Sequence, residues 1–149
     1  MEREEQRKLA AACFNATWTL IEKPDRTPAD DDEMVHGAHA SAYHWHNIGT
    51  AANRARGEWQ CSRVYAILGR PEPALQHARR CLELVEGSPA EMEEFDLPAA
   101  YEALARAYWV AGDLGESRRY AELGRAETAK IADAGDRAHM EADFATIRP

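Results

Sequence analysis

Val64 to Pro89 reads V-Y-A-I-L-G-R-P-E-P-A-L-Q-H-A-R-R-C-L-E-L-V-E-G-S-P, and the organisation of the chain follows from this stretch. The apolar run through Val64, Ile67 and Leu68 stops at Gly69, a residue free to adopt the left-handed backbone that ends helices. Gly69-Arg70-Pro71 closes this helix, and Pro73 suits the first turn of the next, where a missing amide hydrogen costs no intrahelical bond. Ala74, Leu75, Ala78, Cys81, Leu82 and Val85 then recur at the spacing of a buried helix face. The stretch predicts two antiparallel helices joined by a tight turn. Its markers return downstream: Tyr65, Gly69, Ala74, Ala78 and Cys81 correspond to Tyr108, Gly112, Ser117, Ala121 and Gly124, each 43 residues further on.

The second copy also contains Tyr101-x-x-Leu104-Ala105-x-x-Tyr108, an aromatic-x-x-Leu-small-x-x-aromatic pattern. Glu58, Cys61 and Ser62 occupy the first three of those places in the first copy. On these residues Glu58 to Ala129 resembles the tetratricopeptide repeat family. The resemblance implies an all-α fold: a short right-handed superhelix of antiparallel helix hairpins, about seven helices, with a C-terminal capping helix. Residues 54–86 form the first clear repeat and 96–130 the second, and 135–147 form the cap. Residues 1–52 resemble a degenerate pair, in which Trp45-x-x-Ile48-Gly49 echoes the pattern while Ala52 replaces an aromatic. The family period is about 34 residues, so about nine extra residues fall between Glu86 and Asp96, as a longer loop or an extra helical turn.

Outward from the repeats, Glu2 to about Ile21 reads as a helix with two apolar stripes: Leu9, Cys13, Ala16 and Leu20 beside Phe14, Trp18 and Ile21. Pro24 and Pro28 break it. Asp30-Asp31-Asp32-Glu33 is expected to open the second helix, with carboxylates against its positive end. Met34, Val35, Ala38, Ala42, Trp45 and Ile48 supply its core face. Asn53 is the expected cap of the third helix, Asp96 of the fifth and Asp113 of the sixth.

The chain has 149 residues, 45% of them hydrophobic, and a net charge of -8. That length suits one domain with a core of its own. The acidic balance excludes the basic face that phosphate contacts need, so no nucleic-acid partner is expected. Arg79-Arg80 and Arg118-Arg119 lie on outer helices and read as solvated surface. The start, M-E-R-E-E-Q-R-K, is too acidic for a signal peptide, and no apolar run is long enough for a membrane span. Cys13, Cys61 and Cys81 form no C-x-x-C pair and read as small hydrophobes of a reducing cytoplasm.

In proteins of the resembled family the first helix of each hairpin faces a concave groove. That template directs Arg56, Trp59, Gln60 and Arg63 of the third helix, and Glu102, Arg106 and Trp109 of the fifth, toward a bound protein or peptide. Arg56 and Arg63 share a face and would hold an anionic group; alternatively they pair with nearby carboxylates. Glu102 and Arg106, four apart, are placed to pair on the helix surface. Trp59 and Trp109 serve either as anchors for a partner's apolar side chain or as packing. The Lys and Asn of a chaperone-tail clamp are missing here.

Four histidines crowd one helix: His36, His39, His44 and His46. At about 100° per residue, His36, His39 and His46 share a face with Asp32 and Tyr43, while His44 points about 80° away. Asp32, His36 and His39 are spaced to offer a metal one donor per turn. Two readings therefore stand: a non-catalytic scaffold without cofactor that binds a protein, a peptide or a second copy of itself, and a small metal-binding protein or enzyme. In the second, His36, His39 and His46 act as ligands or acid–base groups, helped by Asp32 or Glu58. An elongated open groove favours the first, and a closed pocket with converging histidine nitrogens favours the second.

Overall fold

The computed structural model describes residues 1–149 as seven α-helices and a single 3-10 turn, with no strand. The helices are α1 (Arg3–Glu22), α2 (Pro28–Ile48), α3 (Ala51–Ile67), α4 (Pro71–Gly87), α5 (Asp96–Ala111), α6 (Leu114–Thr128) and α7 (Ala134–Ala145). They pack as three successive antiparallel pairs, α1 with α2, α3 with α4 and α5 with α6, and α7 lies against α5 and α6. This is the all-helical, superhelix-like stack expected from the sequence. No helix is long and apolar enough to cross a membrane.

The offset of 43 residues is built into the packing in detail. Gly69 and Gly112 both take positive φ, 69° and 82°, and close α3 and α5. Past each glycine the chain returns one backbone bond, from Arg70 N to the Tyr65 carbonyl at 2.9 Å and from Asp113 N to the Tyr108 carbonyl at 3.0 Å. The tyrosines stack across to the second helix of each pair, Tyr65 on His77 and Tyr108 on Tyr120, both at 5.7 Å between ring centres. A buried serine ties each hairpin near its turn. Ser62 Oγ donates to the Ala74 carbonyl, and Ser117 Oγ donates to the Ala105 carbonyl, both at 2.8 Å. The donor sits on the first helix in one copy and on the second helix in the other.

Several helix starts differ from expectation. α2 begins at Pro28 and is capped by Thr27, whose hydroxyl accepts the Asp30 amide while Asp30 accepts the Thr27 amide. Asp30 and Asp31 are further used by Lys23 and Arg26, so the acidic run lies inside the first turn instead of opening it. Thr50, not Asn53, caps α3; Asn53 is its reciprocal partner three residues on. A threonine hydroxyl one residue before the helix accepts the free amide of Asn53, three residues on, which is the geometry of a cap. Pro71 begins α4 where the sequence suggested a stop. Asp113 caps α6 as expected, through the Glu116 amide. The extra residues between the repeats hold the 3-10 turn Pro89–Glu91.

On α1 the two expected stripes are not both buried. Leu9 and Ala16 face solvent, and the fully buried residues are Ala10 and Thr17. The reason is close packing on α2: Ser41 Oγ donates to the Ala10 carbonyl at 2.8 Å, and Thr17 fills the space above Gly37. Small residues at the crossing bring the backbones together and rotate Leu9 outward. At the other end Phe144 of α7, 1% exposed, sits on Gly124 of α6 within a core of Ala105, Ala121, Ile131, Met140 and Ile147.

Candidate binding cavity

α1, α3, α5 and α7, the odd-numbered helices, share one side of the stack. Between them lies a cavity of about 360 Å³. Ala55, Arg56 and Trp59 of α3 and Asp96 and Ala99 of α5 form its floor with Phe95, and Cys81 and Val85 of α4 lie deeper. Phe14 of α1 forms one wall, and Asp136, His139, Met140 and Asp143 of α7 form the other. Both ends of the stack thus reach the same space. Where an elongated channel was one expectation, the curl of the helices leaves a compact, mainly apolar cavity that is partly open.

The charged residues expected to face a ligand are largely occupied within the protein. Arg56 makes a two-pronged contact with Asp96, 3.0 Å from Nε and 2.9 Å from Nη2, over the ring of Phe95. Asp96 is 3% exposed and also accepts the Glu93 amide at 2.8 Å, so it anchors α5 to α3 instead of serving as a simple helix cap. The hydrogen bond to Asp96 raises the Arg56 pKa and keeps the guanidinium charged.

Beneath the cavity lies a polar layer centred on Glu102, which is fully buried. Its carboxylate accepts from Arg106 Nε at 2.7 Å and from the Trp59 indole at 3.2 Å, and Arg63 Nη2 approaches to 3.6 Å. The Glu102–Arg106 pair exists as expected but in the interior, not on the surface. Arg106 continues to the Asp143 carbonyl and the Thr146 hydroxyl, so it also holds α7 in place. Arg63 lies over Trp59, with its Nη2 3.4 Å from Asp143. Gln60 is fully buried and donates to the Phe14 carbonyl at 2.9 Å, which fixes the α1 wall. Trp109 packs against the α7 core and does not line the cavity. Of the seven groove residues expected from sequence, Arg56 and Trp59 reach the cavity.

The histidine face of α2 is not assembled as expected either. His36 and His46 are exposed, and His39 turns toward α3, its Nε2 2.7 Å from the Tyr65 hydroxyl. Its ring meets that of His77 at 5.3 Å, and His77 Nδ1 is 2.6 Å from Glu58 Oε2. Burial lowers the His39 pKa, helped by His77 and opposed by Glu58. No three His, Cys, Asp or Glu side chains converge in an arrangement that could hold a metal ion, so Asp32, His36, His39 and His46 do not form a ligand set. Glu58 and Tyr65 project from the far side of α3, and none of this cluster lines the cavity.

Phe14, Phe95, Met140 and the two aspartates of α7 were not singled out from sequence. Phe14 carried a signal in its apolar stripe, but α1 had no fixed partner. The α7 residues carried none, because only the fold brings the cap beside α1. No family model, no curated protein and no solved structure matches the chain.

Proposed function

We propose that the chain is a non-catalytic, tetratricopeptide-like binding module that takes a short segment of a protein partner in the cavity between α1 and α7. The supporting observation is the cavity itself, about 360 Å³ and lined by Phe14, Trp59, Val85, Phe95 and Met140. Binding sites of this kind are concave, mostly apolar and preformed on rigid elements. The cavity accepts one or two protruding side chains, not a long extended strand. A reducing cytoplasm suits the three free thiols. A second copy of the chain is the one variant of this partner that sedimentation separates from the rest.

The test is peptide selection from a displayed library on the wild-type protein and on Ala99→Trp in parallel, with circular dichroism confirming that both are folded. The indole of the variant fills the cavity. A motif enriched on wild type and lost on the variant supports the reading. The same motif on both proteins, or no motif on either, overturns it.

A further inference from the structure

We infer that the segment bound in the cavity carries a basic side chain, lysine or arginine, beside an apolar one. This rests on reading the cavity as the partner site and adds the chemistry of the partner. Arg56 is the one lysine or arginine among the lining residues, and both oxygens of Asp96 hold it. Arg63 and Arg106 lie beneath, facing Glu102 and Asp143. Those three cations are matched by three carboxylates. Asp136, in the first turn of α7, is the fourth carboxylate; it is exposed, and no side chain donates to it. His139 approaches Asp143 at 3.6 Å, too far for a hydrogen bond, and its side chain is 64% exposed.

One carboxylate, that of Asp136, therefore stands without a cationic side-chain partner on the wall of a mainly apolar space. A lysine or arginine fits both features, since its methylene stem packs on apolar surface while its head reaches a carboxylate. The neighbouring apolar side chain fills the space between Phe14 and Met140. Charge of this kind sets which partner binds more than how tightly it binds.

The experiment is a nuclear magnetic resonance titration at pH 7.5 with two blocked tetrapeptides, acetyl-Gly-Phe-Lys-Gly-amide and acetyl-Gly-Phe-Glu-Gly-amide. The lysine peptide is expected to bind at least about fivefold more tightly at low salt, with the advantage shrinking as salt screens the charge. Asp136→Asn is expected to abolish the preference and Asp136→Glu to keep it. Equal binding of the two peptides in wild type, both lost in Ala99→Trp, overturns the charge inference and leaves the cavity reading standing. Absence of any shift at Ala99 and Met140 with either peptide overturns both. Binding of n-butylammonium as tight as that of the lysine peptide overturns the peptide partner in favour of a small amine.

Discussion

Replacing Glu102 by alanine tests whether the layer beneath the cavity holds the stack together. The carboxylate is fully buried, and Arg63 and Arg106, whose side chains are 11% and 12% exposed, face it. Asp143 is the remaining carboxylate near Arg63, at 3.4 Å and without a hydrogen bond. Removing Glu102 leaves Arg106 with no carboxylate and Arg63 with Asp143 alone, and breaking a buried ion pair costs about 3–5 kcal/mol. The Trp59 indole loses its acceptor as well, a further cost of about 1 kcal/mol. Against a total stability of about 5–15 kcal/mol for a domain, this is a large fraction. Urea unfolding followed by circular dichroism measures it. The triple replacement Arg63→Met, Glu102→Leu and Arg106→Met should recover most of the loss, because a matched apolar set removes the stranded charges. A single variant within about 1 kcal/mol of wild type would refute the reasoning. So would a triple variant less stable than the single one.

Three further outcomes follow from local geometry. Gly124→Ala places a methyl group 2.7 Å or less from the Phe144 ring, so α7 must shift; a loss of about 1–3 kcal/mol and faster hydrogen exchange across α7 are expected. His39, whose folded pKa is lowered below 6.5, binds protons more weakly folded than unfolded. Its contribution is intact above pH 6.5 and is lost as pH falls below that value, so stability should drop more between pH 7.5 and 5.5 in wild type than in His39→Gln. Burial pushes the Cys61 thiol up to about 12 and the buried Cys81 higher still, so Ellman's reagent should modify only the half-buried Cys13 quickly in the native protein and all three thiols in urea.

The hairpins were legible because glycine and small residues act locally. Gly69 and Gly112 end helices through their own backbone freedom, and Ser62 and Ser117 meet carbonyls 12 residues away in the same hairpin. The cavity was not legible because its walls meet only through tertiary structure. Phe14 and Met140 are far apart in sequence, and both come to Trp59 through the curl of the stack. Arg63 lies over Trp59 on α3, but its carboxylates lie on α5 and α7, which no spacing within α3 reveals. The histidines misled for the same reason. Helical periodicity grouped His36, His39 and His46, while the contacts that matter to His39 come from Tyr65 and His77 on α3 and α4.

The most direct test of the binding cavity is a search for intermolecular nuclear Overhauser effects between wild-type protein, methyl-labelled at methionine, valine and alanine, and the peptide selected on it. Contacts from the peptide's apolar side chain to the methyl groups of Met140, Val85 and Ala99 are predicted. Contacts confined to the exposed methyl groups of Met1, Ala16 and Ala126, outside the cavity, would contradict the account.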